Sequence, residues 1–319
     1  AANIQTVVTA ATIDTAANVN VTVDSGTATV AQQIAIDAQT TGTITATIAE
    51  GDVSSLKTLT ASGGVHALTI NISDTSASAS DLNTIDSKTS VNVNAASISL
   101  LTGTIAQVQA AYTANTAGTI TGLGDEAVTV TDVTLSSTDL NSLDLNTSGT
   151  ITLSNATTIN VANGETLNLN NFTVSNSVTI NDSTGNEIIT GTSGNDININ
   201  SGSDNVNAGN GTDTINIAID NLDNADTVNG GNGTDSINFS SSGTLTSTDL
   251  TNVSDVENLN FSSGNDTFSF TDKADYDSTI SKFSAVSGGS GTDSIDFSSA
   301  VTGDLDFSKL SNFETLNLS

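Results

Sequence analysis

The chain has 319 residues and contains no Cys, Pro, Met or Trp, which excludes disulfides and cysteine-ligated metal sites. Asp and Glu number 35 against five basic residues, all of them lysine, and the formal net charge is −30. Because so few cations cannot neutralise nucleic-acid phosphates or an anionic membrane surface, both partners are excluded. A solvated acidic surface accounts for part of the excess, and inorganic cations are the partners that the charge favours first.

The sequence shows no segment that could enter a membrane. A run of about 18 apolar residues is needed to span a bilayer, and none occurs. No signal peptide is visible, and because the first residue is Ala1 rather than Met, we expect a processed chain or a segment of a longer one. The absence of cysteine is compatible with a secreted bacterial protein.

The N-terminal half alternates short strands with capped helical turns. Period-two patterns predict strands at "VNVTV" (19–23), "LTINI" (68–72) and "VNVNA" (91–95). Helical turns are predicted at "GDVSSLKTL" (51–59), "SASDLNTID" (78–86), "TGTIAQVQAAY" (102–112) and "SSTDLNSLD" (136–144). These turns recur at an interval that is about half of the offset between Asp81 and Asp139, which indicates a 29-residue unit. Short connections between apolar strands predict a parallel β-solenoid in which every coil covers its neighbour.

Acidic residues in the C-terminal half keep a nine-residue interval. The pairs are Glu187 and Asp196, Asp204 and Asp213, Asp226 and Asp235, and Glu257 and Asp266. An apolar residue follows most of them two positions later, as Ile215 follows Asp213. That alternation is typical of a strand whose apolar side chain enters a core.

A longer duplication overlies this interval. "GGNGTDSIN" (230–238) returns as "GGSGTDSID" (288–296), and the match extends over 230–262 and 288–319 with one gap. The offset between the copies equals the one between Asp81 and Asp139 in the N-terminal half. The first copy continues as "SGNDTFSF" (263–270), whereas the second stops at Ser319. We therefore expect the chain to end inside an array of repeats.

These two segments resemble the nonapeptide G-G-x-G-x-D-x-U-x of RTX proteins, where U is apolar, and "AGNGTDTIN" (208–216) departs only at its first position. The resemblance implies a parallel β-roll in which each nonapeptide is half a coil and calcium lies between successive turns. The phrases "DVENLNFS" (255–262) and "NFETLNLS" (312–319) are similar to linking coils of RTX-containing surface-layer proteins and large adhesins. Two departures are the "SGS" before Asp204 and Glu187 in place of Asp.

The same spacing suits calcium on chemical grounds. Calcium takes six to eight oxygen ligands, and glycine lets a bend turn its carbonyls toward an ion while the following Asp adds charge. Asx turns produce similar sequences without any metal. The predicted calcium ligands and bend glycines are Gly194, Asp196, Gly202, Asp204, Gly209, Gly211, Asp213, Asp226, Gly231, Gly233, Asp235, Gly264, Asp266, Gly289, Gly291 and Asp293.

The predicted fold class is therefore all-β: a calcium-poor β-solenoid over 1–180, with short helical turns, continuous with an RTX-like β-roll over 181–319. We predict a secreted, non-enzymatic structural protein that binds calcium and assembles with further copies of itself at the cell surface, as a surface layer, a filament or an adhesin stalk. Cell-surface polysaccharide is a further expected partner.

Two other classes stay open. A β-helical protein could bind or cleave polysaccharide, as a tailspike-like hydrolase does, because paired carboxylates suffice for glycoside hydrolysis. The chain has no arginine, and its one imidazole, His66, is expected to be structural. Threonine arrays such as "TITAT" (43–47) are similar to those of ice-binding solenoids, although the pattern is irregular along the chain.

Overall fold

The computed structural model describes residues 17–319, so the segment 1–16 of the predicted first domain lies outside the described residues. The contacts between residues divide the chain into two compact units. Among the described residues, unit 1 comprises 17–132 and 143–154, and unit 2 comprises 133–142 and 155–319. The predicted boundary at residue 180 rested on the onset of the glycine motif, falls inside unit 2, and stays a prediction.

Unit 1 contains two parallel sheets. The first has the order β1-β2-β3-β5-β7, and the second contains the order β10-β8-β6-β4. Their bounds are β1 Val21–Thr22, β2 Ile44–Thr47, β3 Ala67–Asn71, β4 Ser76–Ser78, β5 Val93–Asn94, β6 Leu100–Gly103, β7 Ile120–Thr121, β8 Ala127–Val130 and β10 Ile151–Leu153. We call the length of chain between paired positions a coil. Thr45 pairs with Ala67 and Val93 pairs with Ile120, so these coils are shorter than the 29-residue unit expected from the helical turns.

Unit 2 is built around one nine-stranded parallel sheet, with the order β29-β27-β25-β22-β19-β16-β14-β11-β9. Its strands are β9 Thr134–Ser136, β11 Thr158–Asn160, β14 Thr179–Asn181, β16 Asp196–Ile199, β19 Thr214–Ile217, β22 Ser236–Phe239, β25 Asn258–Asn260, β27 Ala285–Ser287 and β29 Leu310–Ser311. Inward positions form an apolar ladder, in which Ile197, Ile215 and Ile237 pair in register and are fully buried. Outward positions carry mostly Thr, Ser and Asn.

Smaller parallel sheets complete unit 2. One has the order β12-β15-β17-β20-β24, from Thr166–Asn168, Ile188–Thr190, Asn205–Asn207, Thr227–Asn229 and Val253–Ser254. A two-stranded sheet pairs β18 Asn210–Gly211 with β21 Asn232–Gly233. A four-stranded sheet has the order β23-β26-β28-β30, from Thr244–Thr246, Thr267–Phe270, Ser294–Phe297 and Thr315–Asn317. Strand β13 is Phe172–Val174.

Short α-helices interrupt the strands of the described chain. They are α1 Val30–Asp37, α2 Val53–Leu56, α3 Ala79–Asp86, α4 Ile105–Ala117, α5 Ser137–Asp144 and α6 Lys273–Ser281, and 3-10 turns lie at Leu169–Asn171, Ile219–Asn221 and Ser247–Leu250. Thr29 and Thr104 begin their helices with capping boxes, each completed by a Gln three residues later. The four predicted helical turns are confirmed as α2 to α5, and the mainly parallel β scaffold is confirmed, whereas α1 and α6 were not predicted.

The 58-residue duplication does not return the chain to the same sheet. Strand β22 of the first copy lies in the nine-stranded sheet, and its counterpart β28 lies in the four-stranded sheet. Ser236 pairs with Asn258, which pairs with Ala285, and Ser294 begins a strand further along the chain than that position. The repeat therefore spans two coils and a partial step, which the sequence match alone could not reveal.

Candidate metal centre

Mainly acidic side chains in unit 2 stack in three rows, and most of them are buried. The rows form because each acidic residue comes just before a strand, and parallel pairing of those strands places equivalent positions one coil apart. The first row contains Glu187, Asp204 and Asp226, the second Asn195, Asp213, Asp235 and Glu257, and the third Asp266, Asp293 and Glu314.

Within each row a carboxylate accepts a hydrogen bond from the backbone of the preceding coil. The N–H of Glu187 donates to Asp204 Oδ1 at 2.9 Å, and the N–H of Asp204 donates to Asp226 Oδ1 at 2.9 Å. In the second row the N–H of Asp213 donates to Asp235 Oδ1 at 2.8 Å. These side chains therefore satisfy backbone groups that strand pairing leaves free.

The third row repeats this arrangement with the same polarity. The N–H of Asp266 donates to Asp293 Oδ1 at 2.8 Å, and the N–H of Asp293 donates to Glu314 Oε2 at 2.8 Å. Asp266 and Asp293 are buried, whereas Glu314 is exposed. Each acceptor comes from the coil that follows its donor in the chain, so every coil depends on the next one.

The second oxygen of several row members has no hydrogen-bond partner although it is buried. A buried polar atom without a partner costs about 1–3 kcal/mol, and more when it is charged. The atoms concerned, together with one oxygen of the adjacent Asp182, are Asp182 Oδ1, Glu187 Oε2, Asp204 Oδ2, Asp213 Oδ2, Asp235 Oδ2 and Asp293 Oδ2. A proton or a bound cation on these oxygens would relieve that cost.

One end of the first row gathers three carboxylates. Ligand oxygens of Asp182, Glu187 and Asp204 all lie within 4.8 Å of one another, and the three residues are at most 6% exposed. Asp182 also accepts from the N–H of Asn200 at 3.1 Å, and Glu187 accepts from the N–H of Gly164 and from the Ser183 hydroxyl. The cluster is thus held in place by backbone and hydroxyl donors.

Burial moves the pKa values of these groups. It raises the pKa of Asp182 to about 7, helped by the adjacent Glu187 and Asp204, and it raises the pKa values of Asp204 and Asp213 to about 6. Burial opposes ionisation of Glu187 too, but the neighbouring Asp182 carboxyl, the Gly164 N–H and the Ser183 hydroxyl together lower its pKa. Without a compensating cation the cluster retains protons close to neutral pH.

The bend glycines permit backbones of successive coils to touch. Gly233 has φ +146°, and a Cβ on it would lie 1.5 Å from the carbonyl oxygen of Gly211, which leaves no room for a side chain. Of the nine predicted glycines, all but Gly264 have positive φ. Close stacking therefore demands glycine whether or not a cation is bound.

Two of the predicted acidic ligands already have both oxygens partnered. Asp226 accepts from the N–H groups of Asp204 and Asp223, and Asp266 accepts from the N–H groups of Gly243 and Ser262. Unpartnered buried oxygens therefore occur on four of the predicted acidic ligands, Asp204, Asp213, Asp235 and Asp293, and not on these two. Their metal role stays a prediction.

Asp196 lies outside the rows. Its side chain is exposed on β16, and the buried row position belongs to its neighbour Asn195, whose N–H donates to Asp213 Oδ1 at 2.6 Å. The nine-residue interval selected Asp196, but the apolar residue two positions later, Ile197, follows Asn195. A buried apolar residue two positions later shows that Asn195, and not Asp196, points into the core. That spacing could have corrected the assignment of Asp196.

Sequence reasoning also missed Asp182. If Glu187 is placed at the acidic position of the nonapeptide, Asp182 stands at its first position. The motif has glycine at that position, so the pattern did not identify Asp182 as a ligand. Only the packing of coils brings it to Glu187 and Asp204. Glu257 and Glu314 close their rows as acceptors, and the available signal was an apolar residue two positions after each of them.

His66 serves unit 1 as a structural group. Its Nε2 lies 2.7 Å from Asp37 Oδ1, its Nδ1 accepts from the N–H of Ile44 at 3.2 Å, and both side chains are buried. With Nδ1 accepting, the proton sits on Nε2 and is donated to Asp37. This arrangement fixes one tautomer and leaves no ring nitrogen for a substrate.

No protein-family model, no curated protein and no solved structure gives a significant match to this chain. No helix among residues 17–319 is both long and apolar enough to cross a bilayer.

Proposed function

We propose that the chain is a calcium-dependent structural protein, a secreted β-solenoid resembling RTX-containing surface-layer proteins and adhesins. One observation carries the proposal: buried carboxylate oxygens without partners recur in all three acidic rows of unit 2. Parallel pairing of successive coils, from Thr179 with Asp196 to Asn258 with Ala285, supports the solenoid description.

The donor set favours calcium over other metals. It consists of carboxylate oxygens, with no Cys in the chain and one His that Asp37 already engages. Hard cations prefer oxygen ligands, and the flexible coordination of calcium suits sites assembled from several coils. Asp182, Glu187 and Asp204 would hold one ion together, and Asp213, Asp235 and Asp293 would contribute to others. The ion supplies positive charge where stacked carboxylates repel each other.

Calcium would thereby act on folding rather than on a substrate. Extracellular calcium modules bind with Kd of about 10⁻⁴–10⁻³ M, so the chain would be loosely folded where calcium is scarce and rigid outside the cell. We propose that the rigid form assembles with further copies at the cell surface.

The experiment is a calcium titration of wild type and of Asp213→Asn, followed by circular dichroism, hydrodynamic radius and urea denaturation. Wild type should compact and gain stability, by about 2.7 kcal/mol per site at a calcium concentration of 100 Kd. Asp213→Asn keeps an oxygen for the Asn195 N–H but removes a buried charge. It should be more stable than wild type in chelator and respond less to calcium.

Asp220→Asn is the matched control, because Asp220 is exposed and lies outside the rows. It should titrate as wild type does. The proposal fails if wild type has the same radius and urea midpoint in chelator and in calcium, or if the two variants respond alike. Negative-stain microscopy of the same samples tests assembly, which should require calcium.

A further inference from the structure

An open polar groove lies in unit 2, and none of the acidic-row residues lines it. Its volume is about 400 Å³, within the range of small-molecule sites. Most of the residues that line it are Asn, Thr and Gly, and Asp255 is the single ionisable one. The lining is therefore nearly neutral although the chain has a net charge of −30.

The two walls of the groove repeat from coil to coil. One wall follows Thr190, Asn207 and Asn229, which pair in register along β15, β17 and β20. The other is the ladder of Asn210 with Asn232. Neighbouring strands lie about 4.7–4.9 Å apart, so similar amide groups recur at that interval.

Glycines form the floor between these walls. A Cβ on Gly231 would lie 1.9 Å from the carbonyl oxygen of Gly209, so these two coils can stack this closely only where Gly231 has no side chain. The groove is therefore a consequence of the same close stacking that shapes the bends. It exists as long as the coils are paired.

Hydrogen bonds orient the amides before any ligand arrives. Asn232 Nδ2 donates to Asn210 Oδ1 at 2.8 Å, and Asn229 Nδ2 donates to Asp255 Oδ2 at 3.1 Å. Asn229 Oδ1 is enclosed and has no donor. That oxygen is out of reach of a ligand, so the groove offers the remaining amide groups, which these hydrogen bonds hold in fixed orientations.

We propose that this groove binds a neutral, hydroxyl-rich oligosaccharide. Sugar hydroxyls donate and accept hydrogen bonds, as the facing amides do. Anionic saccharides and phosphates find no Lys in the lining and meet an acidic protein, and a single carboxylate is too little for a dedicated divalent cation site. The proposal does not depend on calcium being the metal of the acidic rows.

The affinity of one groove should be modest. The lining contains no aromatic ring, so binding rests on hydrogen bonds, which are individually weak in water. A multivalent display of the ligand compensates for weak single contacts. The test therefore uses immobilised oligosaccharides rather than dilute ligand.

The experiment probes an array of β-glucan, α-glucan, mannan and N-acetylglucosamine oligosaccharides, with oligouronates as charged comparators, using the full chain in calcium. Asn210→Ala/Asn232→Ala removes one wall, and Asn207→Ala alters the other. Asn216→Ala/Asn238→Ala is the matched control, because these residues pair in the same way on β19 and β22. Circular dichroism of every variant confirms the fold.

Wild type should bind at least one neutral class, the double wall variant should lose about tenfold of that binding, and the control pair should retain it. The inference is overturned if folded wild type binds no neutral oligosaccharide, if oligouronates bind equally well, or if both wall variants bind as wild type does. None of these results changes the outcome of the calcium titration, so the two proposals fail separately.

Discussion

At the scale of single residues, stacking makes neighbouring positions unequal. Asn195 and Asp196 are adjacent, yet the first is buried in an acidic row and the second is exposed on a strand. Among the positive-φ glycines, Gly233 meets the backbone of the previous coil, whereas Gly164 has open space around its Cβ position. Substitutions at such pairs separate backbone conformation from coil-to-coil contact.

We predict that Gly233→Ala costs considerably more stability than Gly164→Ala. Both glycines have positive φ, +146° and +72°, and an alanine in the left-handed region costs about 1–2 kcal/mol. At Gly233 the added methyl would also lie 1.5 Å from the Gly211 oxygen, which adds an overpacking cost of about 1–3 kcal/mol. Urea denaturation of both variants measures the difference. Equal costs would contradict the stacking described here.

At the scale of elements, carboxylates from the next coil cap the N-termini of three helices in unit 1. The first N–H of α1 donates to Glu50 Oε2 at 2.9 Å, that of α2 to Asp74 Oδ2 at 2.8 Å, and that of α4 to Asp132 Oδ2 at 2.7 Å. A carboxylate at a helix N-terminus is favourable for the hydrogen bond and for the helix dipole. The polarity is the one found in the acidic rows, because the acceptor again comes from the later coil.

We predict that Asp74→Ala destabilises unit 1 by about 1 kcal/mol, because the Val53 N–H loses its acceptor. The loss should speed amide hydrogen exchange at Val53 more than at strand positions of β2. Asp24→Ala is the control, since Asp24 is exposed. If Val53 exchanges at the same rate in Asp74→Ala and in Asp24→Ala, the cap contributes nothing measurable.

The sequence predicted elements well where a local signal exists. Ser or Thr before an apolar i, i+3 pair located α3 and α5, and strand alternation located β1, β3 and β5. Helix α6 was missed because "TDKADYDSTI" (271–280) has few apolar residues, and Tyr276, which anchors it against Phe270 with ring centroids 5.1 Å apart, gave no periodic signal. The cluster of Asp182 with Glu187 and Asp204 depends on which coils pair, and no local pattern encodes that.

At the scale of the molecule, charge is segregated from the strands of the large sheet. Among the nine strands of that sheet in unit 2, Asp196 is the only charged residue, although the chain has 35 acidic residues. The remaining carboxylates of unit 2 concentrate in bends and helical turns between strands. Repulsion between carboxylates is therefore expected to be greatest in the bends between strands, which is where the proposed calcium ions would act.

We predict that in chelator the protein becomes more stable as the pH falls from about 7 to about 4. Burial raises the pKa values of Asp182 to about 7 and of Asp204 and Asp213 to about 6, above the ordinary value of 3.8, so the folded state binds more protons in this window. Stability from these groups is complete below 3.8 and is lost as the pH rises through 6 to 7. Urea midpoints across this range measure it.

Asp204→Asn should flatten that profile, because an amide cannot titrate. In saturating calcium the wild-type trend should disappear or reverse, since protons then compete with the ion for the same oxygens. The assignment of uncompensated buried charge to these rows is contradicted if, in chelator, the urea midpoint of the wild-type protein rises with pH between about 4 and 7.

The partial step built into the 58-residue repeat bears on how such a chain can lengthen. Strands β22 and β28 occupy different sheets, so equivalent outward residues of the two copies lie on two separate faces. The equivalent inward residues, Ile237 and Ile295, are both buried in the core. Tandem duplication of this 58-residue repeat would therefore place the same outward residues on different sheets while it keeps the same apolar residues in the core.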